Sequence, residues 1–169
     1  MRALEDEVTE TVLTYFYDEA EKPSGFIFKQ TNRDSNLATT STFLLLTNQR
    51  GDVLELLDEK GNPLASYSYD PYGNLTRTQV TTTTLFSDFS FNQALANLQP
   101  LRYSSYFYDL ETSLYYLSER YYDPETFSFI SQDPEKADGE ESGYQYCGED
   151  PVNFVDLSGL RKTLRNFYV

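Results

Sequence analysis

Leu64-Ala65-Ser66-Tyr67-Ser68-Tyr69 alternates apolar and polar side chains, then stops at Asp70-Pro71-Tyr72-Gly73-Asn74. Alternation of this kind puts successive side chains on opposite faces of a half-buried strand. Pro and Gly after the Asp turn the chain, and the Asp oxygen can cap that turn. The same ending recurs in Tyr15-Phe16-Tyr17-Asp18, Tyr106-Phe107-Tyr108-Asp109 and Arg120-Tyr121-Tyr122-Asp123. Each Tyr-Asp pair closes an aromatic strand, so the repeat predicts strand–turn units stacked side by side.

The neighbouring sequence reads the same way. Val8-Thr9-Glu10-Thr11-Val12-Leu13-Thr14-Tyr15-Phe16-Tyr17 alternates over most of its length, while Phe26-Ile27-Phe28 and Phe43-Leu44-Leu45-Leu46 are short apolar runs between polar residues. Arg50-Gly51-Asp52 and Glu59-Lys60-Gly61-Asn62-Pro63 are turn signals around Val53-Leu54-Glu55-Leu56-Leu57. Residues 43–70 are thus expected to form a hairpin connected near Gly61. Thr/Ser-rich sequence follows, and the best short helix candidate is Asn92 to Leu98. The chain divides into strands over 1–75, a connection over 76–100, a second strand-rich part over 101–160 and a short tail, 161–169. The fold expected is all-β and antiparallel, with little or no helix.

Composition limits the chemistry. The 169 residues contain no His, no Trp and one Cys, with 15 Tyr and 12 Phe. Without His there is no Ser-His-Asp or Cys-His nucleophile and no His-ligated zinc. One Cys excludes an intrachain disulfide framework. The net charge of −14 argues against a nucleic-acid partner, which needs clustered Lys and Arg. No stretch approaches the roughly 20 apolar residues of a membrane-spanning helix. The start, Met1-Arg2-Ala3-Leu4-Glu5-Asp6-Glu7, turns acidic where a signal peptide needs an apolar core. Charge is unevenly spread: residues 161–169 hold Arg161, Lys162 and Arg165 and no acid. A break in composition therefore falls just after Ser158-Gly159-Leu160.

Tyr69-Asp70-Pro71-Tyr72-Gly73-Asn74-Leu75 resembles the repeat signature of the Rhs/YD-repeat family, and Leu46-Thr47-Asn48-Gln49-Arg50-Gly51-Asp52-Val53 resembles its lead-in. Residues 101–160 resemble the Rhs repeat-associated core. They carry Leu101-Arg102-Tyr103, Tyr106-Phe107-Tyr108-Asp109-Leu110-Glu111-Thr112, Leu114-Tyr115-Tyr116-Leu117 and Arg120-Tyr121-Tyr122-Asp123-Pro124-Glu125-Thr126. Phe129-Ile130-Ser131-Gln132-Asp133-Pro134, Asp150-Pro151-Val152-Asn153 and Asp156-Leu157-Ser158-Gly159-Leu160 follow in the family's order. The departures are specific. Leu157 stands where the family has Pro, and Glu135-Lys136 follow Asp133-Pro134. Ser104-Ser105, Ser113 and Phe127-Ser128 stand where it favours Gly or Gly-Arg. A position that needs positive φ costs a non-Gly residue roughly 1 kcal/mol or more.

The resemblance implies an end segment of a spiral β-shell built around a toxic C-terminal cargo, with the rest of that shell and the cargo as partners. Family members are secreted or delivered by toxin secretion systems. It implies no cofactor. It also implies an aspartyl self-cleavage site: Asp133, Asp156 and Arg120 as catalytic residues, and Leu160–Arg161 as the bond cut. Two carboxylates sharing a proton can activate water and protonate the leaving amine, and Arg120 would orient a carboxylate or stabilise the oxyanion. Three readings follow: a structural plug orphaned from its toxin, an active self-cleaving peptidase core, and a carbohydrate- or surface-binding module built on exposed Tyr and Phe. Uncovered sheet edges would favour self-association. Cys147 reads as a core cysteine, and Asp138-Gly139-Glu140-Glu141 as a solvated loop.

Overall fold

A computed structural model describes residues 2–5, 9–134 and 142–164. Val8, Glu135-Lys136, the acidic stretch 138–141 and tail residues 165–169 lie outside the described residues.

The N-terminal half is one antiparallel meander of seven strands. Its members are β1 (Arg2–Glu5), β2 (Thr9–Tyr17), β3 (Pro23–Asn32), β4 (Ala38–Thr47), β5 (Val53–Leu57), β6 (Pro63–Tyr69) and β7 (Leu75–Val80), hydrogen-bonded in chain order. Alternation sets the register: Leu13 lies opposite Phe28, Phe26 opposite Phe43 and Leu45 opposite Leu56. These side chains share one face and are buried there. Residues 43–70 hold three strands rather than one hairpin, because the signal at Arg50-Gly51-Asp52 is a second full turn.

Four of the turns have one design. Asp18, Asn48, Asp58 and Asp70 each accept with a side-chain oxygen, at 2.9 Å, from the backbone N–H groups two and four residues on. The residue three places on takes positive φ in each: Glu21 (60°), Gly51 (85°), Gly61 (82°) and Gly73 (94°). The Asp supplies the acceptor that a five-residue reversal otherwise lacks. Asp109 and Asp123 accept from Glu111 and Glu125 in the same i+2 manner. All four Tyr-Asp pairs thus end strands as the repeat predicted. Asn48 and Asp58 run the same device without a preceding Tyr.

The segment after β7 folds back over the meander. Helix α1 (Phe89–Leu98) begins at Asp88, whose carboxylate accepts from the N–H groups of Ser90 and Phe91. It contains the expected 92–98 stretch and starts earlier because Asp88 caps it. Leu95 and Ala96 pack on the buried face of the sheet, with Phe28, Phe43, Phe86 and Phe91 in edge, tilted and stacked contacts. Asn92 is fully buried and donates to Thr81 O (2.8 Å) and Phe86 O (3.0 Å).

The C-terminal half has a four-stranded sheet of β8 (Phe107–Asp109), β9 (Leu114–Tyr116), β10 (Tyr121–Asp123) and β11 (Ser128–Phe129), and a two-stranded pair, β12 (Phe154–Asp156) with β13 (Lys162–Leu164). Its core is aromatic: Tyr103, Tyr106, Tyr115, Tyr122, Phe129 and Tyr146 are all buried. Three phenols join it to the meander. Tyr103, Tyr122 and Tyr115 donate to the consecutive carbonyls of Pro71 (2.8 Å), Tyr72 (2.7 Å) and Gly73 (2.8 Å). Gly73 is required there: a Cβ would lie 2.7 Å from the Tyr103 ring. Ser104 N donates to Asp52 (2.9 Å), and Ser105 Oγ to Gly51 O (2.7 Å), clamping a second turn of the meander.

The residues that replace the family's expected glycines adopt the backbone that favours glycine. Ser104, Ser105, Ser113 and Phe127 have φ of 50°, 60°, 61° and 61°. The geometry is kept and its steric cost accepted.

Candidate active site

Arg120 lies at the reversal between β9 and β10, where Leu117 N donates to Arg120 O at 3.0 Å. Its side chain turns inward and its guanidinium lies over the Phe129 ring, 3.6 Å from the centroid. The Nε donates to Gly159 O, Nη1 to Gly143 O at 2.8 Å and Nη2 to Asp133 Oδ2 at 3.2 Å. Asp133 is held by its own N–H, which donates to Gly143 O at 3.0 Å. Asp156 ends β12, and its Oδ2 lies 4.0 Å from Arg120 Nη2. Arg120, Asp133 and Asp156 are 4%, 5% and 3% exposed. The three residues expected from sequence are therefore one buried cluster, assembled from three separate segments.

Asp156 is also the hub of the turn after it. Its Oδ1 accepts from Gly159 N (2.7 Å), Ser158 N (3.3 Å) and Arg161 N (3.3 Å). Gly159 has φ of 85°, and a Cβ there would lie 3.2 Å from both Arg120 N and Leu117 O. Only glycine lets this turn approach the Arg120 backbone. Leu157, which replaces the family's Pro, is 68% exposed, so the exchange removes no core contact. The turn brings the amide of the Leu160–Arg161 bond against the carboxylate that would act on it.

A pocket of about 210 Å³ opens at this point. Its lining includes Arg120, Asp133, Asp156, Leu160, Arg161 and Cys147. It has room for water beside the carboxylates. Burial pulls the Arg120 guanidinium below its ordinary value, while Asp133 and then Asp156 act to raise it. The cation stays paired, as a buried charge must. Arg120 uses its donors on Asp133 and on two backbone carbonyls. Its contact with Asp133 fixes the direction of that carboxylate.

Among the other contributors, sequence reasoning named only Cys147, as a core cysteine, and gave Gly143 and Tyr106 no role at the site. Gly143 O anchors both Arg120 and Asp133. Cys147 is a buried thiol in the aromatic core, with φ of 53°, between Tyr146 and the left-handed Gly148 and Glu149. Tyr106 reaches the backbone of Asp156, a contact no local pattern announces.

No family model matches the chain. Over 116 residues, 66% of the chain, it is 39% identical to the tRNA3(Ser)-specific nuclease WapA of Bacillus spizizenii. It is 32% identical over 168 residues, 88% of the chain, to the tRNA nuclease WapA of Bacillus subtilis. Its homologues support an Rhs-related family. The chain spans only 4% and 7% of the length of these two relatives. The fold is that of Rhs shell structures. The Photorhabdus luminescens Tc holotoxin pore superposes with a TM-score of 0.70 at 22% identity, covering 96% of this chain and 7% of that one. Among the described residues, mostly antiparallel sheet with one α-helix agrees with the all-β architecture expected from the Tyr-Asp repeats.

Proposed function

We propose that this chain is the closing segment of an Rhs-type β-shell and that it cuts its own backbone between Leu160 and Arg161. One observation carries the second part: the N–H of the Leu160–Arg161 peptide bond donates to Asp156 Oδ1 at 3.3 Å, in the pocket that also holds Asp133 and Arg120. The reaction is a hydrolysis. Asp133 takes a proton from a pocket water as its oxygen attacks the Leu160 carbonyl carbon. The proton that the two carboxyls share passes through Asp156 to the Arg161 nitrogen as the C–N bond breaks. The products are a carboxylate on Leu160 and a free amine on Arg161. The carboxylate nearer the leaving nitrogen is the acid; the one fixed by Arg120 is the base. Burial of the site excludes bulk solvent and strengthens each of these interactions.

The shell part of the reading draws on the fold match and on the clamp between the tyrosine core and the meander turns. The rest of the shell and a C-terminal cargo are the partners this reading implies. A plug that does not cut is the competing reading. It is favoured by the three backbone N–H groups on Asp156 Oδ1, the pattern of a carboxylate that simply caps a turn. Purification of the full chain under denaturing conditions, refolding, and intact-mass analysis separates them. Self-cleavage predicts loss of residues 161–169 from the wild type, and a whole chain for both Asp133→Asn and Asp156→Asn. In Asp156→Asn the side-chain oxygen can still accept the three N–H groups, and circular dichroism checks that both variants are folded. Equal cleavage in either variant refutes the assigned chemistry.

A further inference from the structure

Tyr106 lies outside the carboxylate–guanidinium set, yet its hydroxyl has three polar neighbours: Asp156 O at 2.7 Å, Asp156 N at 3.3 Å and the Tyr146 hydroxyl at 3.0 Å. A phenol carries one proton and accepts two. The Asp156 carbonyl can only accept and the Asp156 N–H can only donate. The Tyr106 proton therefore points at the carbonyl, and Tyr146 must donate into Tyr106. The resulting order is Tyr146 O–H to Tyr106 O–H to Asp156 C=O, with the Asp156 N–H closing on the same oxygen. Burial pushes the Tyr146 phenol well above its ordinary range, so it keeps the proton it donates.

We infer that Tyr106 is a positioning residue for the cut, fixing the peptide plane on both sides of Asp156, and that Tyr146 fixes Tyr106. The inference rests on the self-cleavage reading above. Tyr106 touches neither the carboxylate nor the bond to be broken; it acts through the Asp156 backbone. Another restraint on that backbone is the short β12–β13 pairing, which covers three residue pairs, Phe154–Leu164, Val155–Thr163 and Asp156–Lys162. Tyr146 is itself braced: its ring stacks on Tyr122 with centroids 4.0 Å apart and meets the edge of Phe129 at 5.8 Å. Phe129 is also the ring beneath the Arg120 guanidinium. One aromatic stack thus sets Arg120 from below and, through two phenols, Asp156 from the side. A misplacement of about 1 Å at a reacting group costs on the order of 100-fold in rate.

The experiment follows cleavage of the full chain by intact mass after refolding, at a temperature where circular dichroism shows each variant folded. In Tyr106→Phe the ring stays and the hydroxyl goes, and the first-order rate constant should fall by at least about tenfold. Tyr146→Phe should fall by less. Tyr103→Phe is the control: it also removes a buried phenol from this core, but one that bonds Pro71, and its rate should stay within about threefold of wild type. The pH–rate profile should change shape in Tyr106→Phe and keep it in Tyr103→Phe, which bare loss of stability would not produce. The inference is overturned by wild-type rates in Tyr106→Phe, or by an equal fall in Tyr103→Phe. If Tyr106→Phe does not fold, Tyr146→Phe decides, with a reduced rate in a folded chain supporting the inference and an unchanged rate overturning it. A wild-type chain that stays whole while both Asn variants fold overturns the cleavage reading itself, and this inference with it.

Discussion

The two halves of the molecule are held together by different physics. The meander buries Leu13, Phe26, Phe28, Phe43, Leu45, Leu56 and Leu64 under α1, a mainly non-directional core with Tyr67 as its fully packed phenol, donating to Ala96 O at 3.1 Å. The C-terminal half buries Tyr103, Tyr106, Tyr115, Tyr122 and Tyr146, and four of these donate their hydroxyls to named carbonyls: Pro71, Asp156, Gly73 and Tyr72. Apolar side chains specify volume, whereas a buried phenol specifies volume and the position of an acceptor to within a few tenths of an ångström. The half built on phenols is the half that must hold two carboxylates and a guanidinium in register.

Alkaline titration tests that contrast most severely. In the tyrosine core Tyr115, Tyr122 and Tyr146 have phenols raised above the ordinary value of 10.0, burial being the first cause, against Tyr67 and Tyr69 in the meander. A phenol whose folded pKa exceeds its unfolded one stabilises the fold fully below pH 10, and that contribution is lost as pH rises. Each such group removes about 1.4 kcal/mol per pH unit above 10. The tyrosine core should therefore unfold steeply between pH 10 and 12, seen as tyrosinate absorbance rising with the loss of near-ultraviolet circular dichroism. Gradual, non-cooperative titration would break the comparison.

Deletion in the apolar core comes next. Phe43→Ala, measured in the Asp156→Asn background to keep the chain whole, should cost about 3–5 kcal/mol by denaturant unfolding, while Phe43→Leu should cost under about 2 kcal/mol. The tyrosine core should respond to a smaller chemical change. Tyr122→Phe alters almost no volume but leaves the Tyr72 carbonyl unpaired, at a cost of about 1–3 kcal/mol. A neutral Tyr122→Phe would show that its phenol is packing alone. The smallest expected effect has the opposite sign. Ser113→Gly, at φ 61°, should stabilise by about 0.5–1 kcal/mol, because glycine accepts that backbone without strain.

What was legible in the sequence follows the range over which each feature is encoded. The Tyr-Asp turns were readable because acceptor, donors and strand lie within five residues. β2 and β6 were readable from period-two alternation and β3 and β4 from short apolar runs, whereas most of β7 (Leu75–Val80) lies in the Thr/Ser-rich stretch read as a connection. Asn48 and Asp58 have no preceding Tyr, so the Tyr-Asp signal does not include them; the Asx oxygen and the positive φ three residues later define the turn. The assembly of Arg120, Asp133 and Asp156 came through family resemblance; no local pattern joins residues drawn from three segments. The Tyr106–Asp156 contact spans 50 residues, and a Tyr in an aromatic strand looks the same whether or not its hydroxyl has a task.

The central claim is that the cluster around Asp156 breaks the bond it touches. Refolding the wild-type chain in water enriched in ¹⁸O, then taking the mass of the large fragment, tests it directly. The account predicts a fragment ending at Leu160 whose new carboxylate carries one ¹⁸O, beside a free peptide beginning at Arg161. A folded chain that keeps its full mass, or a cut at any other bond, would contradict it.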